Sequence, residues 1–150
     1  MKTLLDRILE SALFLLMVLI CLSVLWGVFT RYALGSQASW SEELARFLLI
    51  WIGLLGTAWA SGQRMHLAIT LLPEYLQGQQ QVYLLRFIDL LVMLFAAAVL
   101  LVGGGRLVYL TNILGQSSPA MGIPMEMVYL VLPLSGLIII YYKLSSFKNE

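Results

Sequence analysis

A cluster of charged and aromatic residues carries the side chains best suited to specific interactions in this chain. Trp40, Glu42, Glu43 and Arg46 come directly before an uncharged segment, residues 47–63. Glu42 and Arg46 are four residues apart, which places them on one face of a helix, where they can form an ion pair. The pattern is typical of a membrane-spanning helix that begins at a membrane surface. The chemistry expected here is charge pairing rather than catalysis.

The same segment contains a start signal for this helix. Ser39 and Glu42 have the spacing of a capping box, so we expect the helix to begin near Trp40. Glu43 adds favourable charge at the positive end of the helix, and Arg31 can approach across the connection. Two interpretations remain open: a capped helix anchored at the membrane interface, with Trp40 in the aromatic belt, or a docking surface whose fixed charges pair with another subunit.

Other residue types that support chemistry are scarce. Cys21 and His66 are the only cysteine and the only histidine. One histidine cannot supply two haem ligands, and neither a cysteine nor a carboxylate lies near His66 at metal-ligand spacing. No serine or cysteine has a recognisable nucleophile context, and paired intramembrane carboxylates are absent from the sequence. We therefore predict no catalytic, metal or cofactor site, and the role of His66 stays open beyond a surface or interhelical hydrogen bond.

The composition identifies the class of protein. Hydrophobic residues make up 61% of the chain and charged residues 11%, and the mean hydropathy is +0.90. Such a chain has too little polar surface to cover a water-exposed globule, so it is an integral membrane protein. The net charge of +1 and the lack of a basic run give nucleic acid nothing to bind.

The 150-residue chain contains four uncharged runs, and each predicts one membrane span. At about 1.5 Å per residue, the first run alone matches a hydrocarbon core about 30 Å thick, whereas the others must recruit flanking residues. The sequence predicts an all-α integral membrane protein with one four-helix domain, residues 1–150, and approximate spans at 8–30, 41–63, 82–110 and 125–144.

Two local expectations concern the later spans. Arg86 and Asp89 are three residues apart and can pair on one face of a long, tilted third helix, from about Val82 to Leu114. Pro133 removes one helical hydrogen bond and should bend the fourth helix.

Orientation follows from the basic residues. The apolar stretch after Lys2 and Arg7 is too long for a typical signal peptide and lacks an obvious small-residue cleavage site, so we expect a first transmembrane helix. With four spans, six basic residues fall on the side of the termini and three on the other, which predicts cytoplasmic N and C termini. The three are Arg31, Arg46 and Arg106.

The four uncharged runs provide no charge near the middle of the membrane. Transporters that carry a solute on their own usually have an ionisable or broken-helix site there. The residues alone thus indicate an accessory or scaffold subunit.

A set of residues spread over nearly the whole chain supports a more specific interpretation: Phe29, Arg31, Tyr32, Trp40, Glu42, Glu43, Arg46, Trp51, His66, Met121, Gly122, Ile123, Pro124, Tyr129 and Pro133. In this order they resemble the small membrane subunit (DctQ-like, Q subunit) of tripartite ATP-independent periplasmic (TRAP) transporters. The tryptophan, glutamate pair and arginine between the first two spans are the most specific part.

The resemblance implies a subunit of the bacterial inner membrane that works beside a large M-type membrane subunit. In that large subunit a mobile elevator domain carries sodium ions and an organic anion, while a P-type periplasmic protein captures the substrate. The small subunit would brace the moving domain and contact membrane lipids. The substrate stays open between C4-dicarboxylates, sialic acid and other carboxylated solutes. Because the chain ends at Glu150, soon after the fourth span, we expect the form that is not fused to the large subunit.

The resemblance also implies roles for five residues at the extracytoplasmic end. They would stabilise the scaffold there and contribute to docking of the periplasmic protein: Arg31, Trp40, Glu42, Glu43 and Arg46. Two alternatives remain. One is an autonomous homodimeric four-helix exporter, although such exporters place a carboxylate in the first helix and residues 11–30 contain none. The other is a structural subunit of a respiratory membrane complex.

Overall fold

The computed structural model describes residues 2–36, 38–63 and 79–147. Within these ranges it consists of helices and short connections, without a β-strand. Four helical stretches are long and apolar enough to cross a membrane: Leu4–Ala33, Ser39–Gly62, Arg86–Ile113 and Met125–Ser145. The predicted all-α fold with four spans is therefore confirmed, whereas the direction of the termini stays a prediction.

The first two helices form a hairpin. Helix α1 (Lys2–Ala33) is followed by a short connection and by α2 (Ser39–Gly62). Gly35 lies in this connection with φ +69°, a left-handed conformation that glycine adopts without the steric cost of a Cβ atom. In the described part of the chain α1 packs chiefly on α2, and many large apolar side chains of α1 face outward.

The third stretch is one long helix with an irregular centre. Helix α3 (Gln79–Phe95) continues into a π-helical segment (Ala96–Gly103) and then into α4 (Gly104–Ile113). π-helical turns are rare within α-helices, and this one lies where the third span contacts the fourth. A Cβ atom on Gly104 would lie 2.7 Å from the Cβ of Leu132, so this glycine is needed for the close crossing.

The fourth stretch contains a break. Helix α5 (Met125–Tyr129) ends at the turn residue Leu130, and α6 (Val131–Phe147) follows. Pro133 lies in the first turn of α6, where its missing N–H is tolerated. The interruption at Leu130 is local, since this residue keeps helical dihedral angles (φ −60°, ψ −22°), and the bend expected from Pro133 stays a prediction.

The core lies around α6, which packs against α2 on one side and against the π-helical segment on the other. Leu55 and Val131 belong to one cluster of buried side chains, and Ala58, Leu100 and Ile139 belong to a second. A Cβ atom on Gly136 would lie 2.9 Å from the Cβ of Leu100, so the second contact also depends on a small residue. Small residues at such crossings let membrane helices approach closely.

Neighbouring residues of α6 tie the helices together at the end that we call the terminal end, formed by residues 4–10, 59–63, 86–89 and 141–145. The hydroxyl of Tyr142 donates to Asp6 of α1. The Lys143 ammonium lies 2.5 Å from the carboxylate of Asp89 in α3. The predicted pairing of Asp89 with Arg86 is wrong: in the described residues Arg86 is exposed and makes no ion pair, because the buried Lys143 meets the carboxylate across the helices.

Candidate functional site

The opposite end of the bundle brings together the five residues singled out from the sequence. We call it the loop end: the end of α1, the start of α2 and the segment 112–126 between α4 and α5. Arg31, Trp40, Glu42 and Arg46 are exposed there, whereas Glu43 is partly buried. The structure thus separates Glu43 from the other four.

Helix α2 begins close to the predicted residue but with a different cap. Ala38 occupies the N-cap position and Ser39 is the first helical residue, so the predicted capping box at Ser39 is wrong. The Ser41 hydroxyl donates to the backbone oxygen of Ala38 at 2.8 Å, and it is Ser41, not Ser39, that is buried. No side chain caps the start of α2, and the serine that does form a hydrogen bond there lies two residues after Ser39, inside the helix.

Hydrogen bonds that involve Ser23, Thr30 and Ser41 join α1 to the start of α2, and we call this set the polar seam. The Ser23 hydroxyl donates to the backbone oxygen of Ser41 at 2.7 Å. The Thr30 hydroxyl accepts from the Ala38 N–H at 3.3 Å and donates to the backbone oxygen of Gly27 at 3.0 Å. Buried polar groups are costly unless they are hydrogen-bonded, so these contacts fix the register of the hairpin.

The predicted pair of Glu42 and Arg46 is confirmed. The Arg46 guanidinium donates to the Glu42 carboxylate in the i, i+4 arrangement, with side chains 72% and 49% exposed, respectively. Ion pairs in such exposed positions contribute little to stability. Arg31 does approach across the connection, since Arg31 and Glu42 line one open groove of about 170 Å³ between α1 and α2.

Glu43 has a different function in the fold. Its Oε2 atom accepts hydrogen bonds from the Ser118 hydroxyl at 2.6 Å, the Ala120 N–H at 3.0 Å and the Met121 N–H at 3.0 Å. Hydrogen bonds to a carboxylate are shorter and stronger than those between neutral groups. Glu43 therefore fastens the start of α2 to a segment about 75 residues further along the chain.

The fastened segment is a compact turn, residues 117–124, which we call the 117–124 loop. The Ser118 N–H donates to the Ile123 oxygen at 2.9 Å, and the Gly122 N–H donates to the Ser118 oxygen at 2.9 Å. Gly122 has φ +67°, which favours glycine. Ser117 and Pro124 form a single antiparallel bridge that closes the base of the loop.

Of this segment, the sequence pattern includes only the run from Met121 to Pro124, and it misses Ser118. Its glycines and prolines, together with the run from Met121 to Pro124, were the available signal. The neighbouring Asn112 amide donates to the Glu126 carboxylate, which joins α4 to α5 below the loop.

The described residues hold no cluster of three or more histidine, cysteine, aspartate or glutamate side chains that could bind a metal ion. Cys21 is exposed on the outside of α1 instead of being packed in the bundle. His66 lies outside the described residues. The loop end thus presents exposed charged side chains beside a hydrogen-bonded loop.

A comparison with protein families matches most of the chain to a known family. Residues 20–149 match the family described as "Tripartite ATP-independent periplasmic transporters, DctQ component". The chain belongs to the DctQ family. The resemblance inferred from its residues is thereby confirmed, and it makes the chain a multi-pass transporter component, which is not a class of enzyme.

Individual DctQ relatives agree with this assignment. The chain is 28% identical over 134 residues to the "Putative TRAP transporter small permease protein" of Haemophilus influenzae, an alignment that spans 89% of this chain and 81% of the relative. It is 31% identical over 78 residues to the "Sialic acid TRAP transporter small permease protein SiaQ" of Vibrio cholerae, spanning 52% of this chain and 45% of that one.

A third relative of this DctQ chain is much longer. The "Isethionate TRAP transporter permease protein DctMQ" of Oleidesulfovibrio alaskensis is 32% identical over 101 residues, which span 67% of this chain but only 16% of the relative. A segment similar to this chain thus occurs within a larger permease polypeptide. Family membership leaves neither the autonomous exporter nor the respiratory subunit with a supporting observation.

Proposed function

We propose that this DctQ-family subunit is the stationary brace of a TRAP permease that takes up an organic acid with sodium ions. The observation that carries the proposal is the absence of any charged residue from the central parts of its four spans. Transporters that carry an ion or a charged solute on their own usually have an ionisable site at that depth, and this chain has no charged side chain there. Transport chemistry is thus assigned to another subunit.

The packing suits a brace. Helix α6 is held between α2 and the π-helical segment, and glycines let the helices approach to contact distance. Hydrogen bonds or ion pairs join the helices at both ends of the bundle. A body fixed at its core and at both ends is suited to remain still while a neighbouring domain moves.

The partner in the membrane is proposed to be the large M-type subunit. Its support is the DctMQ relative, in which a segment similar to this chain forms part of a longer permease. The broad apolar outer faces of α1 and α3 would contact this subunit and lipid. The substrate class rests on the names of two relatives, which mention sialic acid and isethionate, both organic anions. C4-dicarboxylates remain candidates.

We further propose that the loop end is extracytoplasmic, in the bacterial inner membrane, and meets the P-type substrate-binding protein. The distribution of basic residues supports this orientation. Arg31, Trp40, Glu42 and Arg46 are exposed at this end and accessible to a soluble partner. Glu43 is the exception among the residues selected from the sequence, since its carboxylate binds the chain's own loop.

Reconstitution into liposomes tests the proposed function. The chain alone, the large subunit alone and the two together are incorporated, and uptake of radiolabelled sialic acid, isethionate and succinate is measured with the substrate-binding protein and a sodium gradient. We expect sodium-dependent uptake of one class of organic acid only when both membrane subunits are present. Gradient-driven flux from this chain alone would contradict the brace.

A further inference from the structure

The two adjacent glutamates at the start of α2 serve different purposes. Successive residues of a helix point about 100° apart, so Glu42 and Glu43 face different surroundings. Glu42 lies beside Arg46 in the exposed pair, whereas Glu43 binds the 117–124 loop through three hydrogen bonds. A substitution at Glu43 therefore alters the loop, not a free surface charge.

In the loop held by Glu43, the backbone N–H groups at the tip are hydrogen-bonded within the protein, whereas the backbone oxygens are not. The N–H groups of Ala120 and Met121 point to Glu43, that of Gly122 points to Ser118, and Pro119 has none. Within the described chain, the backbone oxygens of Pro119, Ala120, Met121 and Gly122 accept no hydrogen bond. The tip of the loop thus offers acceptors to its surroundings, and a partner would need to supply donors.

The position of the loop indicates which partner it meets. The third span ends at Ile113 and the fourth begins at Met125, so the loop lies beyond the membrane-spanning helices. The segment from Ile113 to Met125 contains no charged side chain. It therefore has no cation to bind a lipid phosphate, and Pro119, Ala120 and Gly122 are exposed at its tip, where a folded, water-soluble protein can reach them.

We propose that Glu43 is a positioning residue that holds the 117–124 loop as a preformed contact surface for the substrate-binding protein. The inference rests on the proposed function and deepens it, since it assigns the contact to Pro119–Gly122 and not to the Glu43 carboxylate. A loop that is ordered before binding avoids the entropy cost of becoming ordered in the complex. Loss of the Glu43 acceptor releases two backbone N–H groups and one hydroxyl, and so removes this advantage.

The test uses the purified complex of this chain with its large subunit in nanodiscs and the cognate purified substrate-binding protein. Two variants separate the positioning residue from the surface it holds. Glu43→Gln weakens the contacts with the loop, and Ala120→Arg changes the loop tip while leaving its backbone N–H in place. Affinity is measured by biolayer interferometry, and retention of the large subunit by co-purification. Glu10→Gln and Gln63→Arg, at exposed positions of the terminal end of the bundle, are matched controls.

We expect both loop-end variants to weaken binding of the substrate-binding protein by about tenfold or more, with the large subunit retained and both controls unchanged. Glu43→Asp, which keeps the charge, should restore part of the affinity lost in Glu43→Gln. A purely structural role for Glu43 would lower the melting temperature without this recovery of binding.

Each other result overturns a defined part of the proposal. Unchanged affinity in Ala120→Arg shows that the loop is not the contact, and unchanged affinity in Glu43→Gln shows that Glu43 does not position it. Loss of the large subunit in Ala120→Arg assigns the loop to that subunit instead. Failure of the unaltered chain to retain the large subunit contradicts the proposed function itself, independently of the loop.

Discussion

At the scale of single residues, glycines decide how closely the helices approach. A Cβ atom on Gly27 would lie 2.9 Å from the Ser41 hydroxyl oxygen, which belongs to the polar seam between α1 and α2. Gly53 lies on α2 with no atom within 4 Å of the corresponding position. The two glycines differ in their surroundings although both lie in apolar helices, so they form a natural pair for comparison.

We predict that Gly27→Val destabilises the protein by about 1–3 kcal/mol, because the added side chain displaces Ser41 from its hydrogen bonds. Thermal unfolding in detergent, followed by tryptophan fluorescence, measures the effect. Gly53→Val is the control and should change stability far less. Equal melting temperatures for the two variants would show that the seam does not constrain the hairpin.

The residue scale also shows what sequence reasoning can find. Glu42 and Arg46 were predicted as a pair because helix geometry alone brings residues four apart together. The contact between Glu43 and Ser118 could not be predicted, since it depends on how α4 and α5 pack against α2. The same local rule pairs Arg86 with Asp89, whereas in the structure Lys143, 54 residues further along the chain, forms the contact with the Asp89 carboxylate. Local pairs are readable from spacing, whereas contacts between elements are not.

At the scale of elements, α6 is the central helix, and the ion pair of Lys143 with Asp89 links it to α3. The Lys143 side chain is only 5% exposed. Removing one member of a buried ion pair leaves an uncompensated charge, whereas replacing both members with apolar groups is often tolerated. This asymmetry makes the pair testable.

We predict that Asp89→Asn lowers the stability by roughly 3 kcal/mol, because Lys143 then stays charged in a buried position. The double variant Asp89→Leu with Lys143→Met should be closer to the unaltered protein than the single variant is. Unfolding in detergent measures both. A double variant less stable than Asp89→Asn would show that the pair itself holds α3 in place.

The close crossing of the third and fourth spans gives a second test at this scale. Gly104 meets Leu132 and Pro133, whereas neighbouring Gly105 has open space around its Cβ position. Gly104→Val should force α4 away from α6 and destabilise the bundle by about 1–3 kcal/mol, with Gly105→Val as the control. Size-exclusion profiles and melting temperatures measure the difference. If both variants behave alike, the small residues at this crossing are not required for packing.

The positions of the helices were predictable because a run of apolar residues long enough to cross the membrane is visible in the sequence itself. The structure contains the four spans that composition and hydropathy indicated. The π-helical segment was not predictable, since it lies where the third span packs on α6. Hydropathy sets how many helices there are, and packing sets their irregularities.

At the scale of the whole molecule, the two ends of the bundle differ, and their placement relative to the membrane decides which partners they can meet. The loop end contains the exposed Glu42 and Arg46 pair and the 117–124 loop, whereas Tyr142 and Lys143 mark the terminal end. If the loop end faces the periplasm, a soluble binding protein can reach it. If it faces the cytoplasm, the docking proposal fails regardless of its geometry.

Cysteine labelling in cells decides between these orientations. Cys21 is first replaced by alanine, and Ser36→Cys at the loop end or Ser145→Cys at the terminal end is then introduced; Ser36 is exposed in the connection after α1. We expect a membrane-impermeant maleimide to reach the periplasm and label Ser36→Cys in cells with a permeable outer membrane. Ser145→Cys should react only after the inner membrane is opened, because the basic residues hold that side in the cytoplasm. The reverse pattern would place the exposed charges and the loop on the side that a periplasmic protein never meets.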